Sequence, residues 1–403
     1  MRLYARMPHR VYDHRNRCAV AGIGSTDFSR ASGRSVLSLA VQASRAAIAD
    51  AGLAVVDIDG IVRSDQDEVK HNALAHALGI RNLTYWGSSG HGGAAPAGMI
   101  AQAVGAICSG QATNVLAFRS LNGRSGMRFG AARARGGRVV GGNGTYDEFF
   151  TPYGLVVPGQ MWALIAQRHM LEYGTTAEQL GAIATTVRRR ANANPAAQMF
   201  GRPLTMDDYL AAAVIASPLR LFDYCLETDG ACAVVVTSAE RAAHLAKDAV
   251  LITAVAQGTG PGPQGGTAYP ALLRANLTTQ PSAFIAQELY RRAGLGSADI
   301  DVAQFYDCFT IALLVQLEDY GFCAKGDGGP YAASGALEVD GALPVNTSGG
   351  NLSEGYVHGM SHVLEGVRQI RGESTSQVDG AEVCLVTSGI PVVSGAMILQ
   401  KAG

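Results

Sequence analysis

Pro344-Val345-Asn346-Thr347-Ser348-Gly349-Gly350-Asn351-Leu352-Ser353-Glu354-Gly355-Tyr356-Val357-His358-Gly359 sets glycines at 349, 350, 355 and 359 around a tyrosine and a histidine, then opens into a periodic segment. Leu364, Val367 and Ile370 mark the apolar face of that segment, with Glu365, Arg368 and Arg371 elsewhere on it. A glycine-rich loop feeding a helix offers backbone N–H groups and the positive end of the helix dipole to an approaching ligand. Taken alone, the stretch reads equally as an ordinary strand-to-helix connection, so its surroundings decide the reading.

The chain has 403 residues, room for two or three domains or one duplicated architecture. It is 48% hydrophobic and only 16% charged, which describes a globular protein with large buried surfaces and excludes a disordered one. A formal net charge of −1 gives no global pull toward nucleic acid or membranes. The cysteines at 18, 108, 225, 232, 308, 323 and 384 are odd in number and include no C-x-x-C pair. That spacing excludes a fully paired disulfide framework and a spaced zinc site, and suits a reducing cytoplasm. No apolar run reaches the length of a membrane span, and residues 1–17 are basic and polar, without the apolar core of a secretory signal. Met7 is a second candidate start.

Outward from the quoted stretch, the chain repeats itself. Cys18-Ala-Val-Ala-Gly-Ile-Gly24 reads as a buried strand, and its glycine pair lacks the third glycine of a dinucleotide fingerprint. A helix over 35–50 follows, with Gly52 as its C-terminal cap. Ala51-Gly-Leu followed by Asp57-Ile-Asp59 reappears as Ala293-Gly-Leu followed by Asp299-Ile-Asp301, again behind an amphipathic helix, over 284–292. Ser88-Ser-Gly-His91-Gly92-Gly93, a helix to 108 and a strand at 114–118 are echoed by Glu354-Gly-Tyr-Val-His358-Gly359, a helix to 370 and a strand at 383–386. Each half closes with a small-residue strand, at 231–236 and at 396–399. The ordered series is an internal duplication, each half a β–α–β–α–β–β unit. Paired halves would set the helix starts near 91 and 359 on one side, where an anion or oxyanion is stabilised.

Between the strand at 114–118 and a helix ahead of Asp229-Gly230 lies a long insertion. It contains a Gly/Arg-rich piece, 123–144, with Arg124, Arg128, Arg133, Arg135 and Arg138. A helix over 161–172 and a basic one around Arg188-Arg189-Arg190 follow. The arginines read either as a solvated face or as phosphate contacts for a nucleotide-bearing substrate such as coenzyme A. Gly258-Thr-Gly-Pro-Gly-Pro-Gln-Gly-Gly266 is a turn-rich loop opening the second half.

This order of motifs resembles the thiolase superfamily, in which duplicated halves carry an inserted loop region and share an active site. The residues that carry the resemblance are Tyr306-Asp307-Cys308-Phe309-Thr310, Gly321-Phe322-Cys323-Ala324-Lys325-Gly326, and the stretch from Asn346 to Gly359. The lipid-carrier (sterol carrier protein) thiolases are most similar, with segments H-D-C-F-T, G-x-C-x-K-G-E-G and N-x-x-G-G-x-x-x-x-G-H-P. The resemblance implies a layered α/β/α/β/α core. Residues 18–247 form the first half, with the insertion at about 119–220, and residues 248–403 the second, after an extension over 1–17.

Departures from the family pattern carry the chemistry. The window 88–95, where thiolases place a nucleophilic cysteine, holds none, and Cys108 lies at the far end of the helix. Tyr356 stands where the family has the histidine of G-H-P, and Tyr306 where it has Asn or His. Thr387-Ser388-Gly389-Ile390 replaces the second cysteine, with Cys384 in the strand just before. Two phenols facing one substrate suit proton removal at one atom and delivery at another, as retro-aldol cleavage of a β-hydroxyacyl-CoA requires. The pattern looks like the lipid-transfer-protein type of steroid side-chain aldolase. That resemblance implies cleavage of a 17-hydroxy steroid C-20 carboxyl-CoA, or a close relative, to a 17-keto steroid and propionyl-CoA. It further implies a cytoplasmic homodimer working with a DUF35/OB-fold protein of an associated enoyl-CoA hydratase, as a heterotetramer. No cofactor is implied, because coenzyme A belongs to the substrate, and no metal.

Tyr306 is assigned as base toward the β-hydroxyl and Tyr356 as the proton donor to carbon, an assignment that can also run in reverse. His358 either orients a tyrosine or donates to the thioester oxygen. His91, Gly92 and Gly355 are candidate oxyanion or pocket residues, joined by Asp307, Cys308 and Tyr224; Arg188, Arg189 and Arg190 are candidates for coenzyme A phosphates. Two other readings stay open: an acyl-transferring thiolase using another cysteine, and a non-catalytic subunit that binds acyl-CoA or a partner.

Overall fold

The computed structural model describes residues 11–90, 92–126, 128, 151–245, 247–261, 272 and 274–402. His91, Arg133, Arg135, Arg138 and the end of the 258–266 loop lie outside the described residues.

The repeated Asp-Ile-Asp segments do the same work twice. Asp59 accepts the N–H groups of Thr113 and Asn114 at 2.9 Å, and Asp301 those of Glu382 and Val383 at 2.9 and 2.8 Å. Each carboxylate thereby fixes the start of the strand that follows its central helix. Asp57 and Asp299, two residues earlier, each accept a backbone N–H three residues back and tighten a 3-10 turn.

The strands form one nine-stranded sheet in the order β3-β2-β4-β7-β1-β8-β11-β10-β9. These are β1 (Cys18–Ser25), β2 (Gly60–Ser64), β3 (Tyr85–Ser89), β4 (Asn114–Asn122), β7 (Asp229–Ser238), β8 (Val250–Gly258), β9 (Val302–Gln304), β10 (Val383–Ser388) and β11 (Ser394–Lys401). A two-stranded hairpin, β5 (Val214–Ala216) with β6 (Leu219–Arg220), stands apart in the insertion. The duplication is legible in the pairing. β2 and β4 are parallel, β4–β7 and β7–β1 antiparallel; β9 and β10 are parallel, β10–β11 and β11–β8 antiparallel. The halves meet through β1 and β8, over Cys18↔Ile252, Ala19↔Leu251 and Val20↔Val250.

Alternation along the strands builds the layers. Cys232, Val234 and Val236 join Val386 and Met397 in a cluster with two helices, Ala95–Cys108 and Met360–Arg371. Ala231, Ala233 and Val235 point the other way, onto the outer helix Val36–Asp50. Ala254, Ala256, Ala396 and Ile398 face the helices Pro281–Ala293 and Thr310–Asp319. The result is an α/β/α/β/α stack with two central helices between the sheet halves.

Several expectations change. The first half carries an additional helix, His71–Leu78, and the edge strand β3. β4 continues past 118 to Asn122, so Arg119 belongs to the core and not to the insertion. Asp229 opens β7, and the segment before it is a 3-10 turn, Leu221–Asp223, instead of a helix. The polar side of Met360–Arg371 is largely turned inward. Glu365 is buried and accepts from Thr347 and Ser374, each at 2.6 Å, because a carboxylate in the middle layer must find donors inside the protein. Among the described residues no helix is long and apolar enough to cross a membrane.

Candidate active site

Tyr306 follows β9, where the chain leaves the sheet, and its backbone is held by polar side chains. Its N–H donates to Thr387 Oγ1 at 2.8 Å and its carbonyl accepts from Gln316 Nε2 at 2.9 Å, while Thr387 donates to Gln316 Oε1 at 2.6 Å. Asn346, at a positive φ of 46°, clamps the preceding residue by accepting from Phe305 N and donating to Phe305 O. The two motifs that were read separately are thus tied by a buried amide.

The ring of Tyr306 is wedged between the leading ends of the two central helices. A methyl group built on Gly93 would lie 2.1 Å from the Tyr306 hydroxyl, and one on Gly359 2.7 Å from its ring. Gly359 is the N-cap of Met360–Arg371, and Gly93 lies in the 3-10 turn Gly92–Ala94 that leads into Ala95–Cys108. Both positive helix ends therefore converge on the phenol.

Tyr356 arrives from the other side. Its N–H donates to Thr228 Oγ1 at 2.9 Å, and its hydroxyl meets that of Tyr306 at 2.9 Å. Burial is the main cause that raises both phenols well above their ordinary value. The contact is asymmetric: it raises Tyr306 further, whereas for Tyr356 it and the nearby Arg119 guanidinium act downward.

His358 adopts a positive φ of 52°, is 3% exposed and stands edge-on to the Tyr356 ring at 5.1 Å. Arg119 reaches its Nδ1 with Nε at 3.1 Å and Nη2 at 2.9 Å. A guanidinium only donates, so Nδ1 accepts and the ring proton sits on Nε2. Burial and the Arg119 charge push the imidazole well below its ordinary value, which keeps it neutral.

These groups line a cavity of about 880 Å³ together with Gly92, Gly93, Cys225, Tyr224, Trp162, Phe309 and Cys308. Arg188 is in its wall, and Arg30, Arg124, Arg128 and Arg202 also line it. Tyr224, pushed up to about 12 by burial, has a buried hydroxyl with no hydrogen-bond partner among the described residues. Of the residues singled out in the sequence, Tyr306, Tyr356, His358, Gly92, Cys308, Tyr224 and Arg188 come together here.

Others do not. Gly355 is absent from the cavity wall: its N–H donates to Gly350 O and its missing side chain admits Phe28, 2.6 Å from where a methyl would stand. With the Tyr356 N–H on Thr228, this loop supplies neither of those N–H groups to an oxyanion. Asp307 is a structural carboxylate. It accepts from the N–H groups of Asn351 and Leu352 at 2.8 and 3.3 Å and from His362 at 3.0 Å, and so holds the π-type turn Gly350–Glu354. Arg189 and Arg190 both pair with Glu338 and do not line the cavity. Arg188 donates to Ser353 Oγ at 2.9 Å, with Phe222 beneath its guanidinium. Cys108 lies against Cys18, Sγ to Sγ 3.8 Å, far from any nucleophile's place, and Cys384 is buried in β10. Burial raises the thiols of Cys225 and Cys308, which disfavours the thiolate an acyl transfer needs.

Comparison with known proteins places the chain in a family. Residues 268–401 match the family model described as "Thiolase C-terminal domain-like". The 17-hydroxy-3-oxo-4-pregnene-20-carboxyl-CoA lyase of Mycobacterium tuberculosis is 43% identical over 382 residues, 94% of this chain and 98% of that protein. The chain belongs to the thiolase-like family of steroid side-chain-cleaving aldolases. A steroid side-chain-cleaving aldolase of Thermomonospora curvata is 41% identical over 382 residues, 94% of this chain and 97% of that one. The solved Ltp2-ChsH2(DUF35) aldolase superposes with a TM-score of 0.89 at 40% identity, covering 96% of this chain and 98% of its counterpart. The fold is thiolase-like, and the enzyme is a carbon–carbon lyase of that superfamily.

Arg119 and Asp67 escaped the sequence reading. Arg119 sits inside the apolar strand β4, where the one charge in Asn114-Val-Leu-Ala-Phe-Arg119 was the available signal.

Proposed function

We propose that this aldolase cleaves a 17-hydroxy steroid C-20 carboxyl-CoA to a 17-keto steroid and propionyl-CoA, with the two tyrosines moving the proton. In that reaction the hydroxyl loses its proton, the Cα–Cβ bond breaks, and the thioester enolate takes up a proton at Cα. The net change is transfer of one proton from oxygen to carbon. Two hydroxyls 2.9 Å apart can relay it: one phenol receives the substrate proton as it passes its own to the other, which protonates carbon. Neither need be ionised beforehand, in keeping with the upward displacement of both. Of the two directions, the Arg119 charge beside Tyr356 favours Tyr356 as the receiver of the hydroxyl proton. His358, neutral with its proton on Nε2, is the donor to the thioester oxygen as the enolate forms.

The observation that carries this reading is the tyrosine pair, in a cavity large enough for a steroid and without an activated cysteine. Arg30 and Arg202 at the cavity edge, both exposed, are suited to the coenzyme A phosphates. A DUF35-type partner and its hydratase are inferred from the solved relative's complex. A cytoplasmic homodimer is inferred from the free cysteines and from the open edge of β3, where Trp86 is 59% exposed. The test gives the purified chain, with and without a DUF35-type partner, a 17-hydroxy steroid side-chain CoA thioester, and separately a 3-ketoacyl-CoA plus coenzyme A. Release of ketone and propionyl-CoA without added coenzyme A is expected. Coenzyme A-dependent cleavage of the ketoacyl substrate would overturn the proposal and point back to Cys225 or Cys308.

A further inference from the structure

Beneath the tyrosine pair lies a buried ion pair whose arginine also reaches His358 of the cavity wall. Asp67, just beyond β2, and Arg119, on β4, have side chains 0% and 2% exposed and meet at 2.6 Å. Asp67 Oδ1 also accepts from the N–H of Ser120 at 3.0 Å, and Oδ2 from the N–H of Ser64 at 3.1 Å. Its backbone carbonyl and that of Ser64 accept from Arg63 at 3.0 and 2.8 Å. An ion pair this deep rarely adds net stability over apolar packing, so its retention asks for another explanation.

We infer that the Asp67–Arg119 pair is a positioning device that holds His358 as a neutral hydrogen-bond donor, proton on Nε2, toward the oxygen on which enolate charge develops. This inference rests on the retro-aldol reading of the site. Free imidazole interconverts its two neutral tautomers and takes a second proton near neutrality. Here Nδ1 faces two guanidinium N–H groups, so neither a proton on Nδ1 nor an imidazolium fits the site. Asp67 in turn occupies Nη1 and leaves Nε and Nη2 directed at Nδ1. Among the described residues, the charged or titratable groups facing His358 and its neighbour Tyr356 include Arg119 from β4, Tyr306, and the raised thiols of Cys225 and Cys308. The placement also explains why Arg119 interrupts an apolar strand: from β4 its side chain reaches the head of the opposite central helix, coupling the two halves at the reacting centre.

The test is made on the full chain with its DUF35-type partner. Nitrogen NMR of histidine-labelled protein, with the His358 signals assigned by difference against His358→Gln, should show a neutral ring protonated on Nε2 from about pH 5 to 8. Arg119→Gln should lower kcat by about 10- to 100-fold with KM little changed, and add an acidic limb to the pH profile as His358 regains its ordinary titration. Arg119→Lys, which keeps charge and one donor, should recover part of the loss. An imidazolium or an Nδ1-protonated ring in the unaltered enzyme overturns the inference. So does a folded Arg119→Gln with unchanged kcat and pH profile. Should Arg119→Gln fail to fold, the NMR experiment still decides. Absence of lyase turnover in the unaltered complex would instead sink the retro-aldol reading and leave the tautomer measurement standing.

Discussion

The proposed relay places Tyr306 where only glycine neighbours leave room for its ring. Gly93 leaves the space its hydroxyl occupies, so Gly93→Ala should displace the ring by about an ångström and lower kcat roughly 100-fold, with the fold intact by circular dichroism. Unchanged kcat would show that the hydroxyl's position is not critical. The pH dependence follows from the same neighbourhood. Both phenols lie well above their ordinary value and His358 well below its own, so none of the three changes charge between about pH 6 and 9. The rate of the chemical step should be flat across that window, whereas a pre-ionised tyrosine base would make it climb tenfold per pH unit. Tyr306 and Tyr356 were legible in the sequence because they replace family residues at fixed places in two motifs, and His358 because it is a titratable side chain set among the glycines of the second. Arg119 and Asp67 were not, because nothing local distinguishes a buried arginine serving a partner far along the chain from a strand-end charge.

At the scale of elements, the stretch from Asn346 to Gly359 is less a helix-capping loop than a packed polar turn. Its length, its glycines and the helix after it were readable. Its interior was not, because hydrogen bonds between Asp307, Asn351 and His362 have no periodicity to betray them. Glu354 shows the cost of that burial. It is 1% exposed, accepts from Ser348 at 2.7 Å, and burial lifts it to about 7 although Arg368 stands 3.7 Å away. The folded state thus keeps a proton that the unfolded chain gives up above about pH 4.5. The stability this residue contributes is fully present below that value and is lost as pH rises through about 7. Urea unfolding should find the wild type losing on the order of 3 kcal/mol more than Glu354→Gln between those limits. Parallel curves for the two proteins would contradict this.

At the scale of the molecule, duplication explains why the site lies where it does. Equivalent helices bring their leading ends together, and equivalent aspartates, Asp59 and Asp301, start equivalent strands. That symmetry was readable because small repeated tripeptides mark it, while β3 was missed because its place beside β9 is taken in the second half by the single parallel bridge Ala303↔Val345, which leaves no matching apolar strand to compare. β3 leaves one edge of the sheet open, and Trp86 on it stacks on His71 at 4.3 Å with its other face toward solvent. Trp86→Glu should weaken self-association by about 30-fold or more in sedimentation experiments. An unaltered dimer would place the interface elsewhere. The central claim is that Tyr306 and Tyr356 act as one proton relay, and single-turnover rates of Tyr306→Phe, Tyr356→Phe and the double variant test it most directly. A relay broken at either end predicts that each single change lowers the rate by about 100-fold or more and that the double variant is no slower than the slower single one. Losses that multiply, or a single variant close to the wild-type rate, would contradict it.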